Sequence, residues 1–360
     1  MAEDPQQVLL AQHTTLRLGG PAGRFVVAAA EAEVLAAVRA ADERGEPLLV
    51  LGGGSNLVIA DAGFPGTVVH IATRGLDVSD VDGQVSVAVA AGEDWDTVVA
   101  WSVAEGLAGL ECLSGIPGRA GATPIQNVGA YGQEVAETVT GVRAFDRATG
   151  EVVEMAAADC GFGYRTSAFK RATTTATGRF VVLGVTFRLD RSPLSRPVGY
   201  RELARVLGIA EGERAPLAEA RAAVLGLRRG KGMVLDPHDP DTFSAGSFFT
   251  NPVLGTAQFE ELQRVVGDGT AVPSFPAGDG QRKVPAAWLI EHAGFIKGYP
   301  GSNGDDAAPR ISTKHTLALV NPCGATTASL VALAAQIRDG VRDTFGVELV
   351  PEPVLVGIEL

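Results

Sequence analysis

Two glycine-dense stretches carry the first chemical signal in this 360-residue chain. In the first, Leu48-Leu-Val-Leu51 runs into Gly52-Gly-Gly-Ser-Asn56 and on into Leu57-Val-Ile59. A strand that empties into three glycines (Gly52, Gly53 and Gly54) lets the backbone approach a ligand without Cβ obstruction, and Ser55 and Asn56 add short polar groups. Such a turn suits a pyrophosphate, although a glycine turn between strands is by itself more often structural. It is not the dinucleotide fingerprint, because GxGxxG would need glycine at position 57 and a following helix. The second stretch holds seven glycines between Gly106 and Gly132. Its centre reads Leu113-Ser-Gly-Ile-Pro-Gly-Arg-Ala-Gly-Ala-Thr-Pro-Ile-Gln-Asn-Val-Gly-Ala-Tyr-Gly132. With two prolines and almost no charge it can be neither a regular helix nor a central strand. Long irregular runs inside compact domains are usually functional, and this one reads as a rigid shell around a large planar, hydrogen-bonding ligand.

Single reactive groups stand out elsewhere. Arg165 lies in Gly163-Tyr-Arg-Thr-Ser-Ala-Phe-Lys170, Ser247 in Ala245-Gly-Ser-Phe-Phe-Thr-Asn-Pro252, and Glu352 between Pro351 and Pro353. Taken alone, each fits a structural role more readily than a catalytic one. Ser247 also lacks the GxSxG elbow of a hydrolase nucleophile. Gly226-Leu-Arg-Arg-Gly-Lys231-Gly232 departs from GxxxxGK[ST] in spacing and in its last residue, so triphosphate hydrolysis is not supported. Lys231 is then either a point charge for a phosphate or a solvated lysine after a helix. Asp236-Pro-His-Asp-Pro-Asp241 reads as an Asp/Pro turn, and no metal is expected there.

These groups need a scaffold, and the composition supplies one. Apolar residues make up 46% and charged residues 20%, a globular balance, and the 45 glycines follow no collagen period. Length predicts two or three domains. A formal net charge of −12 opposes binding to nucleic acid or anionic lipid surfaces. The polar N-terminus lacks a signal-peptide pattern and no window is apolar enough to span a membrane, so a cytoplasmic protein is expected. Three scattered cysteines, Cys112, Cys160 and Cys323, read as buried free thiols in a reducing compartment.

Periodicity predicts strands at 24–29, 47–51, 67–71, 84–90, 139–145, 151–155 and 180–189, with helices at 32–41 and 94–104. A Pro-bearing linker at 190–197 precedes a helix-rich part, with helices at 200–207, 216–227 and 284–292 and strands at 247–249 and 315–320. A long helix follows through Leu330, Leu333, Ile337, Val341 and Phe345, closed by Gly346, and a last strand covers 347–356. Strands and helices cluster rather than alternate, so the class is α+β with mixed sheets.

On these segments the chain resembles the UDP-N-acetylenolpyruvoylglucosamine reductases, also called UDP-N-acetylmuramate dehydrogenases, flavoenzymes of bacterial peptidoglycan synthesis. The resemblance begins at Thr15-Leu-Arg-Leu-Gly-Gly-Pro-Ala22 and runs through the GGGSN turn, IPGxxGxxPIQNxGAYG, YRxSxFK, AGSFFxNP and Lys283-Val-Pro-Ala-Ala-Trp-Leu-Ile290 to Leu349-Val-Pro-Glu-Pro-Val-Leu-Val-Gly357. The segment around Tyr200 is similar to the longer of the family's two types. Pro353 and a few extra residues between Lys231 and Ser247 depart from the commonest pattern.

The resemblance implies a two-domain FAD-binding fold of the PCMH or vanillyl-alcohol-oxidase type plus a smaller α+β substrate domain. It divides the chain into 1–73 with 346–360, 74–195, and 196–345. It implies noncovalent FAD held at Gly52, Gly53, Gly54, Ser55, Asn56, Ser114, Ile116, Gly118, Gly121, Asn127 and Gly129, and a UDP-sugar held at Tyr200, Lys231 and Asn251. NADPH is the implied co-substrate; it reduces the cofactor and leaves before the enolpyruvyl sugar enters. Hydride then reaches the terminal vinyl carbon, Arg165 and Glu352 stabilise the charge that develops on the carboxylate side, and Ser247 protonates the adjacent carbon. A flavin oxidase of the same fold and a sugar-nucleotide-binding module remain as other readings. Many such oxidases attach FAD through a histidine, which neither glycine segment contains.

Overall fold

The β-branched runs of the first half pair into two sheets. The computed structural model describes residues 8–173, 176–267, 269–300 and 308–360. Its chain divides into two units, one built mainly from Pro21–Gly54 and Phe64–Val234, the other from Leu10–Gly20, Ser55–Gly63 and Leu235–Leu360.

In the first unit, Phe64–Ile71 is the middle of a parallel sheet flanked by Ala22–Ala28 and Leu48–Leu51. A middle parallel strand is covered on both faces, which explains its nearly continuous apolar run, with Val68 and Val69 fully buried. The helix Glu31–Glu43 buries Val34, Val38 and Ala41, one stripe at helical spacing, in the same core as Val69 and Ile71. The second sheet is antiparallel in the order Glu151–Ala156, Val139–Asp146, Phe180–Arg191, Gln84–Ala90, Leu76–Val81. Its core centres on Trp95, Phe145 and Phe187, all fully buried. Trp95 opens the helix Trp95–Ala104, which Asp94 caps by accepting the Thr97 N–H at 3.1 Å. The helices Arg201–Leu207 and Leu217–Gly230 end this unit.

Leu76–Val81 has no counterpart among the expected strands. Asp77, Ser79 and Asp80 leave it largely exposed and without an apolar stripe. The overlooked signal is its Asp82-Gly83 turn, where both φ values are positive (52° and 79°), as a two-residue hairpin requires.

In the second unit the long helix is Thr327–Phe345, closed by Thr326, whose hydroxyl accepts the Ser329 N–H, and by Gly346 at φ 66°. Leu330, Ala334, Ile337 and Val341 lie fully buried along it. Small sheets accompany it: Ser244–Ser247 pairs with Ala318–Val320, and Leu57–Ile59 pairs in parallel with Val354–Val356. Three expected strands are shorter or displaced. The last covers only Val354–Val356, because Pro351 and Pro353 offer no N–H and the donors between them act singly, Glu352 N–H to the Phe248 carbonyl at 2.9 Å. The strand expected at 247–249 is Ser244–Ser247 and ends where that expectation began. Before Ala318 the chain turns around Ser312, whose hydroxyl accepts the N–H groups of Lys314 and His315.

Cys112 and Cys160 are buried, whereas Cys323 is exposed, which corrects the expectation of three buried thiols. Burial pushes the Cys112 thiol up to about 12, with the Glu111 carboxylate adding to it. The Asp/Pro stretch does form a turn: Asp239 caps Pro240–Thr242, and Asp241, nearly buried, accepts from Arg310 at 3.2 Å and from Thr313. Among the described residues no helix is long and apolar enough to cross a membrane.

Candidate active site

In the first unit the two glycine-dense segments meet backbone to backbone. A Cβ built on Gly53 would lie 2.7 Å from the Gly118 Cα, closer than any side chain permits. Gly52 lies under the stem of Arg119, whose Cγ would be 3.4 Å from a Cβ there, and a Cβ on Gly121 would meet that of Ala91 at 2.5 Å. The loop itself is anchored at several points. Trp95 donates its backbone N–H to the Gly118 carbonyl (3.1 Å) and its indole N–H to that of Leu113 (3.2 Å). Ser114, buried, donates its hydroxyl to the Glu111 carbonyl at 2.7 Å.

Asn127 is the most heavily bonded residue of this loop. Its amide donates to the Glu134 carboxylate (2.6 Å) and to the Gly163 carbonyl (3.1 Å), and its side-chain oxygen accepts the Ala136 N–H (3.1 Å). It is buried and left-handed, φ 47°. Tyr131 (φ 50°) and Arg165 (φ 52°) share that conformation, which costs an L-residue about 1–3 kcal/mol and concentrates at functional sites. Arg165 donates from Nη2 to the Gly129 carbonyl at 3.1 Å, while a Cβ on Gly129 would lie 2.9 Å from the Glu134 side chain. Glycine at 129 therefore makes room for the side chains of Glu134 and Arg165.

Asp96 braces the same loop. Its carboxylate accepts the Gly115 N–H at 2.6 Å and both arms of the Arg221 guanidinium at 2.7 and 2.8 Å. Burial alone would favour the neutral acid, but the Arg221 and Gly115 hydrogen bonds outweigh it and hold the carboxyl below its ordinary 3.8. A depressed folded value gives stability that is present above the unfolded value and lost as pH falls through the folded one. The urea midpoint of the wild type should therefore exceed that of Asp96→Asn at pH 7, and the gap should narrow below about pH 4. A gap as wide at pH 3 as at pH 7 would show that the Asp96 carboxylate does not brace the loop.

A cluster of aromatic and charged groups ends the first unit. The Tyr131 and Tyr200 rings meet edge to face at 5.3 Å, and the Lys231 ammonium lies 5.6 Å from the Tyr131 ring. Lys231 follows the helix Leu217–Gly230 and donates to Glu202 at 2.7 Å. Burial opposes its charge, but the Glu202 hydrogen bond more than restores it, so its pKa stands above the ordinary lysine value. In the last turn of that helix Arg228 is half-buried with its Nε enclosed; desolvation pushes its guanidinium down to about 10, and it donates from Nη2 to the Met233 carbonyl at 2.8 Å.

In the second unit the strand Ser244–Ser247 carries an irregularity between its ends, with Gly246 at φ 76° and its N–H donated to the Ser244 hydroxyl. Such a bulge re-aims the side chain that follows it, and that residue is Ser247. The next N–H, of Phe248, donates to the Leu317 carbonyl at 2.7 Å, while the Phe248 carbonyl accepts the Glu352 N–H. Ser247 and Glu352, separated by over a hundred residues in sequence, thus lie on adjoining backbone segments. Asn56 joins them: its carbonyl accepts the Val354 N–H at 2.9 Å and its side chain donates to the Glu352 carbonyl at 3.5 Å. Asn251 uses its side-chain oxygen to accept the Ala286 N–H at 2.9 Å, closing the start of the helix Ala286–His292.

The structure therefore groups the expected residues into three sets. Gly52, Gly53, Gly118, Gly121, Asn127, Gly129 and Arg165 belong to the walls of the first unit; Tyr200 meets Lys231 through Tyr131; Asn56, Ser247 and Glu352 adjoin in the second unit. Gly54 supplies positive φ (59°) at the end of its turn, and Ile116 packs half-buried against the first unit's core. Ser55 is half-buried at the start of the second unit's turn.

Sequence reading missed Arg119, Glu134 and Glu202. Arg119 holds a buried Nε without a hydrogen-bond partner among the described residues and reaches Asp94 only at 3.7 Å. A glycine cradle beside an orphaned guanidinium donor fits a group that brings anionic oxygens, such as the diphosphate of FAD. Only the cationic residue inside an otherwise uncharged motif could have pointed to it.

Comparison with known proteins places both halves. Residues 22–156 match the family model of an FAD binding domain, and residues 237–356 match that of the UDP-N-acetylenolpyruvoylglucosamine reductase C-terminal domain. A protein of Salinispora arenicola named UDP-N-acetylenolpyruvoylglucosamine reductase is 59% identical over 98% of this chain and 95% of its own length. One of the same name from Thermobifida fusca is 55% identical over 99% of this chain and 98% of its own. The crystal structure of UDP-N-acetylenolpyruvylglucosamine reductase from Thermus caldophilus is 23% identical, covers 98% of both chains and shares the fold with a TM-score of 0.61.

Proposed function

Since the chain belongs to the UDP-N-acetylenolpyruvoylglucosamine reductase family, we propose that it reduces the enolpyruvyl group of UDP-N-acetylglucosamine enolpyruvate to give UDP-N-acetylmuramate for peptidoglycan, with NADPH as reductant. It is an FAD-dependent oxidoreductase with an α+β fold. The observation that carries the proposed chemistry is the adjoining of Ser247 and Glu352 through Phe248. A proton donor and a polarising carboxyl on neighbouring rigid segments are what a reduction across a carbon–carbon double bond requires.

Gly52, Gly53, Gly54, Gly118 and Gly121, with Arg119 toward the diphosphate, would hold FAD noncovalently, and the bound cofactor would supply the hydride. The chain's own residues do the rest. Arg165 pairs with the substrate carboxylate, toward which negative charge spreads when the vinyl carbon gains hydride. Glu352 polarises the same group. Ser247 gives its hydroxyl proton to the adjacent carbon, aimed there by the Gly246 bulge. Lys231 and Tyr200 take the diphosphate, Asn251 offers its remaining amide donors, and the domains follow the division at residues 73, 195 and 345. The setting is the cytoplasm, where cell-wall precursors serve growth, shape and division.

The test follows the flavin absorbance of the purified protein under anaerobic conditions. NADPH should bleach it, and UDP-N-acetylglucosamine enolpyruvate should restore it with formation of the lactyl sugar. Restoration by dioxygen alone would favour the oxidase reading, and a colourless protein the binding module. A bleached flavin that the enolpyruvyl sugar leaves unchanged would sink the proposal.

A further inference from the structure

Lys231 is not an open cation. Its ammonium donates to the Glu202 carboxylate at 2.7 Å, and both side chains are about one-third exposed (32% and 35%). The pair is held from several sides. Tyr200, the residue before the helix Arg201–Leu207, places Glu202 in that helix's first turn, and its ring rests against Tyr131. Tyr131 and Gly132 both have positive φ (50° and 83°), and a Cβ on Gly132 would lie 3.6 Å from the Tyr200 nitrogen, so the turn fits closely against Tyr200. Arg228, in the last turn of the helix that Lys231 follows, has a buried Nε without a partner among the described residues. The Lys231 ammonium is thus paired with the Glu202 carboxylate next to the Tyr131 and Tyr200 rings, and a diphosphate reaching Lys231 meets the Glu202 carboxylate already in contact with it.

We propose that Glu202 is a resident counter-anion: its carboxylate occupies the Lys231 ammonium until a nucleoside diphosphate displaces it, so that substrate binding exchanges one anion for another. This rests on the reading of Lys231 as the diphosphate contact. The arrangement has two consequences. Before binding, the carboxylate keeps the half-buried ammonium paired and held beside the Tyr131 face, which limits the ordering still needed when ligand arrives. During binding, the carboxylate must be released and repelled by the incoming anion, which weakens affinity and hastens product release. Glu202 is therefore a positioning residue whose charge works against tight binding.

Uridine diphosphate is the probe, titrated calorimetrically into FAD-loaded enzyme, with steady-state kinetics on the enolpyruvyl sugar beside it. Glu202→Gln should tighten uridine diphosphate about fivefold, in keeping with release of a partly exposed ion pair worth about 1 kcal/mol. It should also lower KM for the sugar nucleotide without raising kcat. Lys231→Gln should weaken binding at least tenfold, and in that background Glu202→Gln should change nothing, because its effect acts through the ammonium. Glu202→Asp keeps the charge and should stay near wild type. Weaker or unchanged binding in Glu202→Gln, with Lys231→Gln impaired, would overturn the counter-anion while leaving Lys231 at the diphosphate. Unchanged binding in Lys231→Gln would overturn the diphosphate reading and the counter-anion with it.

Discussion

Replacing Ser247 with alanine is expected to leave NADPH bleaching of the flavin at the wild-type rate and to slow reduction of the enolpyruvyl sugar by about 10²–10⁴-fold, the range for loss of a positioned general acid. The split between half-reactions follows from where the hydroxyl acts. Only the second half-reaction requires a proton at carbon. The backbone around Ser247 should persist in the variant, because its bonds are made by main-chain groups: Ser247 pairs with Ala318, and Phe248 donates to Leu317 and accepts from Glu352. A fall in kcat with KM little changed would mark an interaction made in the transition state. Stopped-flow traces of the two half-reactions decide the matter. Equal loss in both would assign Ser247 to cofactor placement, and the proton donor would have to be sought elsewhere.

Asn127→Ala should be the most damaging single change in the first unit's loop, costing on the order of 3 kcal/mol and most of the affinity for FAD. Truncation removes three hydrogen bonds and leaves the Ala136 N–H without that partner, at about 1–3 kcal/mol for a donor left unsatisfied, while the Gly163 carbonyl keeps the Thr166 N–H. It also frees the Glu134 carboxylate beside Gly129 and Arg165. Because Asn127 sits at φ 47°, alanine adds backbone strain that glycine would not. Asn127→Gly should therefore recover about 1 kcal/mol relative to Asn127→Ala, while FAD affinity stays low in both. Urea unfolding of the FAD-free protein separates the stability terms, and quenching of flavin fluorescence on binding gives the affinity. An Asn127→Ala protein with wild-type urea midpoint and FAD affinity would show that the loop is held elsewhere.

Both expectations attach to residues that the sequence singled out, but their partners were not legible there. Gly53 and Gly118 show the difference. Each is visibly a glycine in a glycine-dense run; that one must be bare because the other's Cα comes within 2.7 Å of its missing Cβ is a fact of two segments far apart in the chain. The GGGSN turn reads as one motif, yet the structure assigns Gly54 to the first unit and Ser55 to the second. Glu202 carries no local signal and Arg119 only that of a lone cation in an uncharged motif; their roles show once the buried Nε of Arg119 and the ammonium paired with Glu202 are seen.

What the sequence by itself determined is what depends on neighbours a few residues away. The 32–41 and 330–345 helices follow from apolar spacing and from Gly346 after the second, and the loop through Gly132 is irregular because its prolines and glycines forbid anything else. The tertiary structure alone decided which donors found which acceptors. Residues 347–353 look like strand by composition, but two prolines leave too few donors for a ladder: Glu352 donates its N–H to the Phe248 carbonyl and the Val350 carbonyl accepts the Thr250 N–H, partners about a hundred residues away in the chain. Leu76–Val81 looks like loop by polarity, yet it is a strand because Gln84–Ala90 completes its hydrogen bonds. Backbone polar groups must be paired wherever they are buried, and the identity of each partner is set by chain topology, which local residue preference does not encode.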